Sequence, residues 1–526
     1  MKIILLVLSL MLSLNLSAET TFIYCSEGSP SSFNPQVTTD GTSNNASGHT
    51  LYDRLVDFKE GTTQIEPSLA KKWEVSKDGL SYKFYLRAGI KFAGTKYFSP
   101  TRDFNADDVL FSFNRQRIKT HPYHNVGGGR YEYFTSMEMD KLIVDIKKID
   151  DHTVEFILNK PEAPFLANLA MSFASILSKE YADKLEKENH KNDIDQLPVG
   201  TGPFIFSSYQ KDNLIRYLAN KDYFKGAPKI DKLVFSITPD ANVRVQKLKA
   251  GECHLVIEPA PADLSSLKKI ANIRVISAAG LNVGYVAYNT QKKPFDNKLV
   301  RQALDLAMNK QSYIDAVYLG NAEIAKNPLP PTIWSYSKKT PDHKFNLKLA
   351  QELLTKAGHP QGFEVTMWTL PVTRPYNPNG KKMGELIQAD LAKIGVKVKL
   401  ISFDWPTYLS KSRMGEHQMI QMGWTGDNGD PDNFLNILLS CGSIESGSNL
   451  ARWCNQDFNK LIDDARLISD QKKRSEKYLA AQKIFDEEKP WSPIAHSMVF
   501  RAMSTKVHGY VMDPLGGDIF TNVQLR

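Results

Sequence analysis

The stretch Gly423-Trp-Thr-Gly-Asp-Asn-Gly-Asp-Pro-Asp-Asn-Phe434 gathers acidic residues, glycines and a proline around a single tryptophan. Residues 418–422 before it, Gln-Met-Ile-Gln-Met, predict a short strand, and the apolar residues from Phe434 to Leu438 have helical spacing. The stretch therefore predicts a loop between a strand and a helix. In α/β proteins, ligands commonly bind at loops in this position.

The three carboxylates of this loop carry different predictions. Asp430 and Asp432 are typical of turns and helix starts, because such side chains accept hydrogen bonds from nearby backbone amides. Asp427 lies three residues after Trp424 and has glycines close on both sides, so it is the candidate for binding a small ligand group. The spacing does not fit a calcium loop, because a glycine and a proline stand where oxygen ligands are needed.

Residues 424–433 resemble the ligand loop of bacterial periplasmic dipeptide-binding proteins, which are the solute-binding subunits of peptide ABC importers. The resemblance extends across nearly the whole chain. Its further segments are Tyr24-Cys-Ser-Glu-Gly-Ser-Pro30, Gly200-Thr-Gly-Pro-Phe204, Gly280-Leu-Asn-Val-Gly-Tyr285, Arg374-Pro-Tyr-Asn-Pro-Asn379 and Val511-Met-Asp-Pro-Leu-Gly516. The segment Val300-Arg-Gln-Ala-Leu304 is similar to a hallmark of the wider peptide- and nickel-binding family.

This resemblance implies an α/β protein with the two-lobed periplasmic binding protein fold, type II, in its large cluster C form, with a discontinuous first lobe and a hinge. We expect residues 19–279 to form the N-terminal part of the first lobe, with an extra subdomain over roughly residues 52–200. Residues 280–495 are expected to form the second lobe, and residues 496–526 to return to the first. Length agrees, since 526 residues predict roughly three domain-sized units.

The first eighteen residues predict a secretory signal peptide, because Lys2 precedes an apolar run that ends in Ser17-Ala18. That run is too short to span a membrane, and no later segment qualifies. No lipid-attachment motif precedes Cys25, so we expect a mature chain that is soluble in the periplasm. The net charge of +8 comes from scattered basic residues and does not favour nucleic-acid binding.

Four cysteines in an exported chain favour two disulfides over a metal site and allow three pairings. Cys441 and Cys454 are thirteen residues apart and would close a short ring, which leaves Cys25 with Cys253. The resemblance to dipeptide-binding proteins implies the same pairing of Cys25 with Cys253. Four free buried thiols are the alternative.

Local patterns predict several further elements. Residues 47–55 and 68–71 are predicted to be helical, and the alternation of apolar and polar residues over 82–86 predicts a strand. Asp296 is the predicted N-cap of the helix that contains Val300. Alternating helices and strands over residues 348–400 predict a lobe rich in parallel strands.

The resemblance implies that Arg374 binds the α-carboxylate of a peptide and that Asp427 binds its α-ammonium. Arginine offers a bidentate fork to a carboxylate, and aspartate is a charged acceptor for an ammonium group. Because each extended residue adds roughly 3.3 to 3.6 Å, a site whose charges match a dipeptide leaves one charge of a tripeptide unpaired. Trp424 and Tyr376 are the predicted walls of the site. The other predicted contacts are Thr425, Gly426, Gly28, Ser29 and Leu281.

The sequence has no Gly-x-Ser-x-Gly elbow, His-Glu-x-x-His pair or Walker loop, so we predict no enzyme, no catalytic residue, no metal site and no cofactor. We expect a monomer that captures dipeptides and delivers them to inner-membrane ABC permease subunits, with a chemotaxis receptor as a further candidate partner. Capture of haem or a metal chelate on the same fold is the alternative. An exported hydrolase is a second and less favoured one.

Overall fold

Strands and helices alternate in the computed structural model, which describes residues 19–341 and 343–526 and has the α/β class that the sequence predicts. The predicted signal peptide, residues 1–18, lies outside the described residues. The strands in chain order are β1 Thr21–Ser26, β2 Val56–Phe58, β3 Ile65–Pro67, β4 Ala70–Val75, β5 Ser81–Leu86, β6 Ile143–Asp150, β7 Thr153–Leu158, β8 Phe204–Gln210, β9 Leu214–Ala219, β10 Lys232–Ile237, β11 Leu255–Ile257, β12 Ile273–Ala279, β13 Asn282–Tyr288, β14 Ala322–Ile324, β15 Glu364–Trp368, β16 Lys397–Ile401, β17 Met419–Thr425, β18 Trp491–Ser504, β19 Val507–His508 and β20 Gln524–Leu525.

The helices include both short turns between strands and longer packing elements. In chain order they are α1 Gly41–Ala46, α2 Ala106–Arg117, α3 Glu132–Ser136, α4 Met139–Leu142, α5 Phe165–Leu169, α6 Lys179–Lys187, α7 Ala241–Ala250, α8 Leu264–Leu267, α9 Lys298–Ala307, α10 Lys310–Val317, α11 Leu347–Lys356, α12 Gly380–Ala392, α13 Trp405–Arg413, α14 Asp432–Leu439, α15 Ser443–Ser446, α16 Gln456–Arg466 and α17 Gln471–Glu488.

One large mixed sheet runs through the molecule in the order β16-β15-β17-β13-β18-β11-β1-β10-β9-β8, with β12 and β14 also paired to β18. The long strand β18 has different partners at its two ends. Its first part, up to Ser497, pairs with β13 and β14, and its second part, from Met498, pairs with β12 and β11. Strands from before and after residue 280 therefore meet along this one strand.

A separate antiparallel sheet has the strand order β4-β5-β7-β6, and its strands come between β1 and β8 in the chain. Aromatic side chains fill its core: Phe84 and Phe156 stack edge to face at 5.6 Å between ring centres, and Phe156 meets Phe113 of α2 at 5.0 Å. Edge-to-face aromatic pairs stabilise a core beyond the area that they bury. The predicted strand over residues 82–86 is confirmed as the greater part of β5.

Helix α9 shows how the sequence specifies a helix start, although the predicted cap is wrong by one residue. The side chain of Asn297, not that of Asp296, accepts a 2.9 Å hydrogen bond from the Leu299 amide. The helix buries Val300 and Leu304 completely. Burial of one such side chain stabilises a fold by roughly 1.5 to 3 kcal/mol.

The helix predicted over residues 47–55 is wrong, because α1 ends at Ala46 and the following residues form turns. The Leu51 carbonyl accepts a 3.0 Å hydrogen bond from the Gly202 amide, so it is used by a distant segment instead of by a helix. A Cβ at Gly200 would collide with the same carbonyl. This contact explains the two glycines of the Gly-Thr-Gly-Pro segment as a close approach of backbones.

Two further predictions need correction. Residues 68–71 are not helical but lead into strand β4, and the Ala70 amide donates a 2.9 Å hydrogen bond to Leu55 O. The part of the sheet after residue 280 is mixed instead of mainly parallel. There β15 runs parallel to β16 and β17, whereas β13 is antiparallel to both β17 and β18.

The four cysteines are joined as Cys25–Cys253 and Cys441–Cys454, with Cα atoms 5.9 and 4.7 Å apart. This is the pairing that the sequence predicts, and the structure contains no free cysteine in the described residues. The first bond ties the end of β1 to the segment before β11, and the second closes the loop between α14 and α16.

Candidate ligand-binding site

A cavity of about 350 Å³ holds most of the residues that the sequence singles out as ligand contacts. Its volume is typical of small-ligand sites, which measure roughly 300 to 1,000 Å³. Segments from before and after the connection between β12 and β13 contribute to its walls. Five predicted residues line it, namely Arg374, Tyr376, Trp424, Thr425 and Asp427.

The Asp427 carboxylate faces the cavity and is held by neutral donors. Its Oδ1 accepts a 2.6 Å hydrogen bond from the Tyr133 hydroxyl, and its Oδ2 accepts a 3.4 Å bond from the Asn433 side chain. Burial raises the pKa of Asp427 to about 7, and these two donors oppose the rise. Within residues 19–341 and 343–526 no cationic side chain pairs with it. A carboxylate in this state is stabilised when a cation binds beside it.

Asn433 and Leu281 fix the loop around Asp427. Asn433 Oδ1 accepts two 3.0 Å hydrogen bonds, one from the Asp427 amide and one from the Trp424 indole nitrogen. The Gly426 amide donates a 2.7 Å bond to Leu281 O. A Cβ at Gly426 would come within 2.8 Å of the Leu281 side chain, so the loop packs closely because this residue is glycine.

Asp430 and Asp432 hold the loop in place, in line with their predicted turn chemistry. Asp430 Oδ1 accepts a 3.0 Å hydrogen bond from the Asp432 amide, and both Asp430 oxygens accept 2.7 Å bonds from Arg474. Asp432 lies 3.8 Å from Arg466, which also pairs with Glu162 at 2.9 Å. Buried ion pairs therefore anchor the loop to α16 and α17, a feature that the sequence did not predict.

Arg374 stands on a tight turn in the cavity wall. Arg374 and Asn377 exchange backbone hydrogen bonds of 3.2 and 3.0 Å, with Pro375 between them. The guanidinium lies 5.2 Å from the centre of the Trp405 ring, a cation–π arrangement. Across the described ranges of the chain it forms no ion pair, so its charge remains available to an anion.

Tyr376 and Trp424, the predicted walls of the site, both line the cavity. Tyr376 is buried, and its carbonyl accepts a 2.7 Å hydrogen bond from the Tyr318 hydroxyl. The Tyr376 ring packs directly on Gly423, where any Cβ would collide with it. Glycine at this position in β17 is thus required by the aromatic wall.

Four predicted contacts do not line the cavity: Gly28, Ser29, Gly426 and Leu281. The Ser29 hydroxyl donates a 2.7 Å hydrogen bond to Asp212 instead. The Gly426 amide is used by the Leu281 carbonyl, so it is not available to a peptide. The turn after β1 reaches the cavity through Glu27.

The cavity also contains residues that were not predicted, among them Tyr133, Trp405, Glu258 and Arg413. Tyr133 lies in α3, and Trp405 begins α13. The local sequence carries no motif at any of these positions. They become neighbours of Asp427 and Arg374 only when distant segments fold together, so a sequence pattern could not have found them.

No helix in the described residues is long and apolar enough to cross a membrane. The same part of the chain contains no group of three or more His, Cys, Asp or Glu side chains that could hold a metal ion.

A cavity lined by segments from before and after residue 280, with an acidic and a basic group that have no ionic partner among the described residues, is typical of a binding protein for a small charged solute. The chain belongs to the bacterial extracellular solute-binding proteins, family 5, whose middle region matches residues 64–446. The resemblance seen in the sequence is thereby confirmed.

The chain is similar to several characterised members of this family. The dipeptide-binding protein of Escherichia coli is 52% identical over 506 residues, which cover 96% of this chain and 95% of that protein. Heme-binding protein A of Haemophilus influenzae is 48% identical, over 97% of this chain and 93% of that protein. The crystal structure of a dipeptide-binding protein from Pseudoalteromonas sp. SM9913 in complex with Met-Leu has a TM-score of 0.91 at 43% identity, and the match covers 96% of this chain and 100% of that one. These matches confirm the predicted periplasmic binding protein fold.

Proposed function

We propose that this protein captures dipeptides in its cavity and is the solute-binding component of an ABC importer. The observation that carries the proposal is the presence, in one cavity, of Asp427 and Arg374, opposite charges that have no ionic partner in the described chain. A dipeptide brings a complementary charge at each end. The Met-Leu complex of the similar Pseudoalteromonas protein supports this class of ligand.

In this proposal Asp427 binds the α-ammonium and Arg374 binds the α-carboxylate. Trp424 and Tyr376 contact the ligand as walls and make no charged contact with its side chains. Recognition by these four residues therefore depends on the two terminal charges and on their separation. A longer peptide would leave one charge unpaired, and an unpaired buried charge typically costs several kcal/mol.

We also propose that two lobes close over the peptide by a hinge. Residues 19–279 and 496–526 would form the first lobe, with an extra subdomain over roughly 52–200, and residues 280–495 would form the second. The change of partners along β18 and the connection at Gly280 support this division, because the chain crosses between the two strand sets there. Hinges of this kind need dihedral changes at only a few residues.

Delivery to inner-membrane permease subunits, a periplasmic location and the lack of catalytic activity belong to the same proposal. So does a monomeric state, and a chemotaxis receptor remains a candidate second partner. The family assignment supports the transport role, since its members are extracellular solute-binding proteins.

Native mass spectrometry of the protein purified from the periplasm of its own cells identifies the co-purified ligand and so tests the proposed ligand class. Recovery of dipeptides supports the proposal. Recovery of haem, seen by mass and by visible absorption, would favour the alternative that the Haemophilus influenzae relative suggests. Hydrolysis of a dipeptide during prolonged incubation with the protein would instead favour an enzyme.

Calorimetry on ligand-free protein tests the two charges separately. A free dipeptide should bind more tightly than its N-acetylated or C-amidated form by about 2 to 5 kcal/mol, because each cap leaves one protein charge buried and unpaired. Equal affinity for free and capped dipeptides would contradict the assigned roles of Asp427 and Arg374.

A further inference from the structure

The proposed dipeptide site does not account for every carboxylate that lines the cavity. Asp40 caps helix α1, where its Oδ1 accepts a 2.9 Å hydrogen bond from a backbone amide. Glu132 pairs with Arg413 at 2.6 Å. Glu27 and Glu258 also face the cavity, and among the residues that the structure describes neither of them caps a helix or forms an ion pair.

These two glutamates lie at the same end of two neighbouring strands in the large sheet. Strands β1 and β11 are parallel, with Cys25 opposite Val256, and each glutamate lies two residues beyond that pair. Glu27 and Glu258 therefore emerge side by side at the carboxyl ends of neighbouring parallel strands. Ligands of α/β proteins commonly bind at such strand ends.

Both carboxylates have unused capacity to accept hydrogen bonds. Glu27 Oε1 accepts a hydrogen bond from the Thr42 hydroxyl, but Glu27 Oε2 is buried and has no hydrogen-bond partner. The Glu258 carboxylate forms neither a hydrogen bond nor an ion pair with any residue that the structure describes. A buried acceptor without a partner is destabilising until a donor reaches it.

Three arginines influence Glu258 electrostatically, and two of them, Arg501 and Arg244, are bonded to other groups. Arg501 donates a 2.8 Å hydrogen bond to Asp518 and further bonds to two backbone carbonyls. Arg244 donates to four backbone carbonyls. Neither guanidinium therefore supplies the cation that the two glutamates lack.

The position of Arg374 shows which part of a ligand would meet the glutamates. Burial and the Glu27 carboxylate raise the pKa of Glu258, and the positive charge of Arg374 acts in the opposite direction. All three groups line the same cavity. Because Arg374 is the proposed partner of the α-carboxylate, the glutamates flank the second residue of a bound dipeptide.

We propose that Glu27 and Glu258 form a subsite for a cationic side chain, lysine or arginine, at the second position of the dipeptide. This inference rests on the proposed function and specifies its substrate class. A neutral side chain would leave two acidic groups beside the ligand's own carboxylate. An ammonium or guanidinium group would offset that repulsion and donate to the unpaired oxygens.

Calorimetry with three peptides on the ligand-free protein tests the proposal: Ala-Lys, Ala-norleucine and Lys-Ala. Norleucine has nearly the length of lysine without its charge, and Lys-Ala moves the charge to the first position. Wild type should bind Ala-Lys about tenfold or more tightly than either other peptide, as expected for a charge-assisted hydrogen bond. Glu258→Gln should bring Ala-Lys and Ala-norleucine to within about threefold of each other.

Two further variants make the result specific. Glu27→Gln should also reduce the preference for Ala-Lys. If circular dichroism shows that Glu258→Gln is unfolded, Glu27→Gln takes its place in the test. Asp513→Asn removes a different cavity carboxylate, one on which Asp518, Asp57 and Arg501 act electrostatically, so it should keep the preference. Loss of the preference in Asp513→Asn would attribute it to the overall charge of the cavity and overturn the subsite.

The failure of this inference differs from failure of the proposed function. Equal affinity of wild type for Ala-Lys and Ala-norleucine, or an equal preference for Lys-Ala, overturns the subsite and leaves dipeptide capture intact. Persistence of the full lysine preference in Glu258→Gln also overturns it. Absence of binding to all three peptides overturns the proposed function, and the inference with it.

Discussion

The hydroxyl of Tyr133 donates a 2.6 Å hydrogen bond to Asp427 Oδ1 across 294 positions of the sequence. Tyr133 lies in α3, and Asp427 follows β17. In the proposed division into lobes these residues lie on opposite sides of the cleft. In that division the carboxylate that would bind the peptide ammonium is positioned by a residue of the other lobe, so the proposed lobe closure would complete the site.

The first prediction is that Tyr133→Phe weakens dipeptide binding. Loss of a hydrogen bond to a charged group typically costs about 1.5 to 3 kcal/mol, so the dissociation constant should rise roughly tenfold or more. The pKa of Asp427 should also rise above about 7, since the tyrosine bond lowers it. Calorimetry and titration of Asp427 by NMR measure both effects.

Tyr217→Phe is the matched control for this change. In the wild type the Tyr217 hydroxyl donates a buried 2.8 Å hydrogen bond to Ala46 O, and Tyr217 does not line the cavity. The control should lose stability without losing affinity. Unchanged affinity in Tyr133→Phe would show that the hydrogen bond does not position the ligand group.

Asp427→Asn is predicted to have opposite effects on binding and on stability. Affinity for a dipeptide should fall by about 2 to 5 kcal/mol, because the ammonium loses its countercharge. The free energy of unfolding of the ligand-free protein should rise at pH 8 by about 2 to 4 kcal/mol, because a desolvated charge is removed.

The free energy of unfolding should rise because the pKa of Asp427 is about 7 in the folded protein against an ordinary value of 3.8. The ionised form is therefore destabilising in the folded state, fully so above pH 7 and not at all below about pH 4. Urea denaturation of wild type and Asp427→Asn at pH 8 and pH 4 checks this. A stability gain that is the same at both pH values would contradict it.

Dipeptide affinity should also depend on pH through the same carboxylate. The ammonium requires ionised Asp427, so binding releases a proton wherever the free carboxyl group is protonated. The association constant should rise with pH up to about 7, the pKa of Asp427, and level off above it. Well below that pKa the logarithm of the association constant should gain about one unit per pH unit.

Calorimetry in buffers of different ionisation enthalpy measures this proton release directly. Asp427→Asn should lose the acidic limb of the pH profile. At higher pH a decline is expected as the peptide α-amino group loses its proton, near about pH 8. A flat profile between pH 5 and pH 7 would show that Asp427 does not bind the ammonium.

Particular residues show how much of the fold and of the candidate site the sequence predicts. The loop predicted over 423–434 does lie between a strand and a helix, because composition and spacing are local properties, but β17 extends to Thr425 and α14 begins at Asp432. The helix predicted over residues 47–55 does not form, and the Leu51 carbonyl bonds instead to the Gly202 amide, a contact that no local pattern reveals. Gly426 is a predicted ligand contact, but its amide bonds to the Leu281 carbonyl, which no local pattern reveals either.

Charge pairing within the site was equally beyond the sequence. The family resemblance identifies Asp427 and Arg374, yet only the fold shows that neither has an ionic partner among the described residues. Conversely, Asp430 was assigned only turn chemistry, and its bidentate pair with Arg474 emerged from packing of the loop against α17. Sequence patterns predict elements and family, whereas the partners of each charge are decided by tertiary structure.

That bidentate pair gives the last prediction. Both residues are buried, so Arg474→Met leaves the Asp430 carboxylate uncompensated and should reduce the free energy of unfolding by about 3 to 5 kcal/mol. Adding Asp430→Asn should recover part of this loss. Lys397→Met is the matched control, because its partner Glu364 and Lys397 itself are both 78% exposed and the pair should contribute little. Urea midpoints measure stability, and calorimetry reports whether the loop still presents Asp427. A loss in Arg474→Met no larger than in Lys397→Met would show that the ion pair does not anchor the loop.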